Sequence, residues 1–146
     1  MTKKKSKRRS ASNNAAAPDA RTLFIDISAW SYRLRDALTE LEAPYIALSE
    51  KFPQNTPDTV WLKEAGIQGW VVLTRDQHIR RHPNELQAFR ENGVIAFVLT
   101  AGDASAADTA ELVKQLYPKM MRKARASKPP AMFAVTLAGA IRQIKL

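Results

Sequence analysis

The sequence predicts an α/β protein, a three-layer sandwich in which helices cover both faces of a mostly parallel sheet. Three observations predict it. Short apolar runs alternate with amphipathic stretches from Thr22 onward. At least four of those runs lack the polar alternation of a half-exposed strand, so they belong in the middle of a sheet covered on both sides. Two of the intervening stretches open on proline and close on glycine, the usual asymmetry of helix ends.

In chain order, "TLFIDI" (22–27) reads as the first strand. "SAWSYRLRDALTELE" (28–42) reads as a helix, with Trp30, Leu34, Ala37, Leu38 and Leu41 at helical spacing and Ser28 as its candidate N-cap. "PYIALS" (44–49) is a second strand, and "TPDTVWLKEAG" (56–66) a helix with Pro57 at its first position and Gly66 at its end. "WVVLT" (70–74) is a third strand, apolar on both faces, followed by the helix "HPNELQAFRENG" (82–93) and the strand "VIAFVLT" (94–100). A long helix spans 105–126, with a kink expected at Pro118. "AMFAVTL" (131–137) and "AIRQIKL" (140–146) close the chain as strands. There is no internal repeat.

The net charge of +9 is unevenly placed. Residues 1–20 hold six Lys/Arg against Asp19, and the remainder holds 17 Lys/Arg against 13 Asp/Glu. The first twenty residues have no apolar periodicity and cannot bury enough surface to offset their ordering entropy, so a disordered basic tail is expected there, ahead of one domain over 21–146. Both parts are basic, which points to a polyanionic partner. No stretch approaches the about 20 apolar residues of a membrane span, and no apolar leader opens the chain, so a soluble cytoplasmic protein is expected. With no cysteine, disulfides, thiolate catalysis and zinc–thiolate sites are excluded.

In an open parallel sheet, the functional crevice lies beyond the carboxyl ends of the strands, where the strand order reverses. Asp26 ends strand one and Asp76 follows strand three. With a strand order of 2-1-3-4-5 these strands are neighbours about 4.8 Å apart, close enough for two carboxylates to approach one cation. A hard ion, Mg²⁺ or Mn²⁺, removes their repulsion and prefers oxygen ligands. Each acid also has a plainer role. Asp26 suits a turn, Asp76 can pair with Arg75 or Arg80, and Asp58 complements the dipole at the start of its helix. Glu50, just after strand two, is a further candidate ligand.

"FIDIS", "TPDTVWLKEAGIQGWVVLTRDQHIRR" and "PNELQAFRENGVIAFVLT" together resemble the PIN-like nucleases, most closely the subfamily grouped with VapC-type toxins. The likeness runs from about Leu23 to the final strand. It implies a PIN-like fold and an acidic cluster of Asp26, Asp58 and Asp76 around Mg²⁺ or Mn²⁺. It also implies cleavage of RNA, with an antitoxin-like protein and a homodimer as possible partners. Such an ion lowers the pKa of bound water toward neutrality and offsets transition-state charge. The pattern departs from the family at His78, where a fourth acid often stands; imidazole does not replace a carboxylate for Mg²⁺.

Arg75, Arg80 and Arg81 are placed to rim the acidic pocket and hold flanking phosphates. Lys119, Arg122, Lys123 and Arg125 form a second basic face suited to a nucleic-acid backbone or simply to solvation. His78 and His82 lack the third ligand of a zinc site. Trp30, Trp61 and Trp70 sit at apolar-periodic positions and are expected in the core. Two functions compete: a metal-dependent endoribonuclease, of the kind that serves as the toxin of a toxin–antitoxin pair, and a catalytically weak or inactive PIN-like module that binds nucleic acid or a protein partner. A phosphatase or receiver-like protein is disfavoured, because strand one brings a single acid and no strand-end lysine follows.

Overall fold

The structure, a computed structural model, describes residues 21–100 and 103–146. The basic tail expected over residues 1–20 lies outside the described residues. Six strands form one sheet: β1 (Leu23–Ile25), β2 (Tyr45–Ala47), β3 (Val71–Thr74), β4 (Ile95–Leu99), β5 (Ala131–Val135) and β6 (Ile141–Ile144). Their order across the sheet is β2-β1-β3-β4-β5-β6, parallel throughout except for the β5–β6 hairpin. The expected 2-1-3-4-5 order is therefore observed, with the last strand added antiparallel at the edge. The helices are α1 (Tyr32–Glu40), α2 (Leu48–Lys51), α3 (Asp58–Gln68), α4 (Pro83–Glu91) and α5 (Ala106–Ala126).

Strands β1, β3, β4 and β5 are buried at every residue. Alternation then divides the core between two faces. Leu23, Ile25, Leu73, Phe97 and Phe133 pack beneath α1 and α5, against Leu34, Leu38, Val113 and Met120. Phe24, Val72 and Ala96 face α3 and α4, against Trp61, Leu62 and Phe89. Phe24 lies at the centre of that second face, stacked on Trp70 at 5.0 Å and tilted against Trp61 at 5.6 Å. Trp61 and Trp70 are thus core residues, whereas Trp30 is only half-buried.

Two expectations are corrected. Ser28 does not cap α1; the helix begins at Tyr32 and Ser31 caps it, accepting from the Leu34 amide at 3.0 Å. The Ser28 hydroxyl is engaged elsewhere, as described below. Nor does Gly66 end α3, which runs on to Gln68 and terminates at Gly69 in the left-handed conformation (φ 72°). Gly66 is needed for packing: a Cβ there would stand 2.1 Å from the Asn92 carbonyl oxygen. Gly66→Ala is accordingly expected to destabilise the protein by about 1–3 kcal/mol despite the better helix propensity of alanine, read as a lower denaturation midpoint. The α5 helix includes Pro118 and runs as one element to Ala126. Among the described residues no helix is long and apolar enough to cross a membrane.

Candidate active site

Strands β1 and β3 lie side by side at the reversal of strand order, and their carboxyl ends are tied together beyond the ladder. The Asp26 amide donates to the Leu73 carbonyl at 3.0 Å. The amides of Ala29 and Trp30 fold back onto the Asp26 carbonyl, at 2.9 and 3.1 Å, so the chain turns sharply there. This turn aims the Asp26 side chain over the end of β3. Its Oδ2 accepts from the Thr74 hydroxyl and from the Ser28 hydroxyl, both at 2.7 Å, and its Oδ1 from the Ile27 amide at 2.8 Å.

Thr74, fully buried at the last position of β3, links the two acids. While donating to Asp26 it accepts from the Asp76 amide at 3.0 Å, and the Arg75 amide donates to Ser28 Oγ at 2.9 Å. The Asp76 carboxylate then caps a short 3-10 turn, Gln77–Arg81, by accepting from the His78 amide at 2.8 Å. Thr74→Val keeps the shape but leaves the half-buried Asp76 amide without its acceptor. We expect a loss of about 1–3 kcal/mol, recovered by Thr74→Ser, in chemical denaturation.

The other two acids arrive on helix starts. α3 and α4 lie side by side on one face with their N-termini at the carboxyl end of the sheet, where the helix dipole favours negative charge. Asp58 is the first residue of α3, held by the Trp61 indole, which donates to Oδ1 at 2.9 Å. Glu85 stands in the first turn of α4. Burial pushes the Asp58 carboxyl above the usual range, the Trp61 hydrogen bond offsets this in part, and the charges of Asp26 and Asp76 raise it further. Burial likewise raises Glu85, helped by Asp58 and Asp76 and opposed by His82. The two carboxyls also act on each other, Glu85 holding Asp58 down in part and Asp58 pushing Glu85 up.

Acids from three other segments, Asp26, Asp76 and Glu85, thus lie within electrostatic reach of Asp58. Glu85 was missed by the sequence reasoning, although a signal was present: "PNE" opens α4 much as "PD" opens α3. His78, at the position where a fourth acid was sought, instead pairs with Asp76, its Nδ1 3.4 Å from Oδ1. Glu50 is exposed on α2, and it is not among the charges that perturb Asp58 or Glu85.

Among the described residues, no three Asp, Glu, His or Cys side chains are closed into a ready-made ion cage. The donor set nevertheless suits a hard divalent ion. All four groups are oxygen donors, they repel one another, and Mg²⁺ retains several waters while taking only one or two carboxylates directly. Asp26, Asp58, Asp76 and Glu85 could hold such an ion in this open arrangement.

The cations divide into two groups. Arg80 and Arg142, exposed on the 3-10 turn and on β6, edge a cavity of about 250 Å³ that begins at Asp76 and is floored by Val98, Met132 and Ala134. Neither is paired with an acid among the described residues. Arg142 was not singled out from the sequence. Arg81 is exposed beside Arg80 and Arg90 along the outer side of α4, and Arg75 is half-buried next to Asp76. Lys119, Arg122, Lys123 and Arg125 lie near the end of α5, which runs back from the carboxyl end of β4 to the start of β5. Lys119 is therefore about 20 Å along the helix from its first residue, toward the opposite end of the sheet.

The family profile described as "PIN like domain" matches residues 22–101, more than half of the chain and a span that includes all four acids. No curated protein and no solved structure matches significantly.

Proposed function

The chain belongs to the PIN-like domain family, and from that premise we propose that it is a Mg²⁺- or Mn²⁺-dependent endoribonuclease with Asp26, Asp58 and Asp76 as its catalytic acids. The observation that carries this reading is the perturbed carboxyl of Asp58, which feels Asp26, Asp76 and Glu85 together at the point of strand reversal. Mutually repelling acids gathered at a functional crevice are costly unless a cation or a proton compensates them. When bound, the ion would neutralise the cluster, activate a water and offset charge on the phosphoryl group.

The residues of the chain have distinct parts in this reading. Thr74, Ser28 and the Ile27 amide fix one face of the Asp26 carboxylate, and Trp61 fixes Asp58. Arg75, Arg80 and Arg81, now joined by Arg142, hold phosphates of the strand so that a polyanion can approach an acidic site. Lys119, Arg122, Lys123 and Arg125 are assigned to a distal stretch of nucleic acid. A role for Glu50 as a further ion ligand rests on its place on α2, just after β2. A VapC-like toxin role, with an antitoxin-like partner, a homodimeric state and a cytoplasmic location, rests on the resemblance of the quoted motifs alone.

The first test is cleavage. Purified protein is expected to cut single-stranded RNA with Mg²⁺ or Mn²⁺ and to stop on chelation; a well-folded preparation that cuts nothing with either ion rejects the reading. Stability supplies a second test. Asp58 and Glu85 titrate above their ordinary values of 3.8 and 4.5, so between those values and the raised ones the folded state holds more protons than the unfolded. Without divalent ions, their contribution to stability is therefore present at acid pH and lost as pH rises through the folded values. Mn²⁺, which binds the ionised folded site, should raise the melting temperature more at about pH 8 than at about pH 5. An equal or absent shift at both would count against an ion at these acids.

A second reading, a PIN-like module that binds nucleic acid or a protein partner without catalysis, draws on His78, an imidazole beside Asp76 where a fourth acid was sought. It predicts RNA binding that survives Asp26→Asn unchanged, with no cleavage by the parent.

A further inference from the structure

On the β2 side of the acids lies an open groove of about 630 Å³ that begins at Asp26 and Asp58. Its chemistry differs from that of the cavity beyond Asp76. Among the described residues no lysine or arginine lines it, and its only charges there are the two acids. A phosphate gains nothing there. The walls are apolar and aromatic instead, with Trp30 and Phe52 both half-buried and both facing the groove. Each ring is braced by a core neighbour: Trp30 against Tyr45 at 6.0 Å, and Phe52 edge-on to Phe24 at 5.9 Å.

Polar groups come from the loop that joins α2 to α3. Gln54 and Asn55 both line the groove, and among the described residues neither amide side chain has a hydrogen-bond partner. Asn55 is held in the left-handed conformation, φ 71°, which asparagine adopts at small cost. The loop is fastened by the Thr56 hydroxyl, which donates to the Pro53 carbonyl at 2.6 Å. Free amides beside braced rings match the way proteins read an unstacked base, by stacking on its face and hydrogen bonding to its edge.

We propose that this groove is a base-recognition subsite for single-stranded RNA: one splayed-out base next to the cleavage point seats against Trp30 and Phe52, and Gln54 and Asn55 read its edge. The inference rests on the reading of RNA as the substrate. It gives the strand a direction across the site, with a base on the β2 side of the acids and phosphates at Arg80 and Arg142 on the other.

The test measures binding, so it does not depend on catalysis. Affinities for labelled hexanucleotides of A, C, G and U are determined by anisotropy without divalent ions. The parent is expected to favour one base by about tenfold or more. Gln54→Ala with Asn55→Gly, which keeps the backbone conformation at 55, should bring the four affinities to within about twofold of one another. Phe52→Ala should weaken all four by about tenfold, and Arg80→Glu with Arg142→Glu should weaken all four alike. Equal affinities in the parent, or a preference that survives in the double amide variant, overturns the subsite. In either case RNA cleavage by the parent would leave the nuclease reading intact. Base-selective binding that the double variant abolishes, without any cleavage, would uphold the subsite while rejecting the nuclease.

Discussion

Asp26→Asn is expected to lower RNA cleavage by about 10²–10³-fold while the fold survives, because it removes a charge that acts on the reacting group and little else. The side chain is nearly isosteric, and three donors now point at its carboxylate: the Thr74 and Ser28 hydroxyls at 2.7 Å and the Ile27 amide at 2.8 Å. Both hydroxyls can rotate to accept from an asparagine amide, and the Ile27 amide can keep the remaining oxygen. The expected loss of stability is thus about 1 kcal/mol, the net worth of one reorganised hydrogen bond. Activity and folding should part company in this variant. If cleavage were to persist at the parental rate in a folded Asp26→Asn protein, Asp26 would be a turn residue and no more.

The largest effect on stability is expected at Trp61. The side chain is 1% exposed and packs against Phe24 in the face beneath α3 and α4. Trp61→Ala removes that packing and opens a cavity, at a cost of about 3–5 kcal/mol. That loss rivals the whole stability of many domains of this size, about 5–15 kcal/mol. Trp61→Phe separates packing from chemistry. It fills most of the space but withdraws the indole donor that holds Asp58 Oδ1 at 2.9 Å. Since that bond opposes the upward push of burial on Asp58, its loss should raise the carboxyl further and shift the acid limb of the pH–activity profile to higher pH. Identical profiles in Trp61→Phe and the parent would show that Asp58 does not titrate with activity.

How far the sequence anticipates this arrangement depends on what each residue signals locally. The parallel sheet was legible because β1, β3, β4 and β5 are apolar at every position except Thr74 at the end of β3, the pattern of strands covered on both faces. Asp26 and Asp76 were legible because they stand just past strand ends, where α/β sheets keep their crevices. Glu85 was not, since an acid in a first helical turn reads equally well as a partner for the helix dipole. Only the packing of α3 against α4 brings it to Asp58. Ser28 was misread for a related reason. A serine before a helical stretch looks like a cap, and its partners are instead Asp26, two positions back, and Thr74 and Arg75, 46 and 47 positions away. Gly66 and Arg142 owe their roles to close approaches between segments distant in the chain, which no local pattern encodes. His78 shows the converse hazard, where matching an expected position overlooked a carboxylate seven residues further on.

The account depends above all on the acids forming one ion site. A titration of Mn²⁺ followed by the electron-spin signal of the free ion tests this directly, on the parent and on the double variant Asp26→Asn with Asp58→Asn. A single saturable site is expected in the parent and none in the folded double variant. Mn²⁺ binding that is undiminished in that variant, or absent from the folded parent, would contradict it.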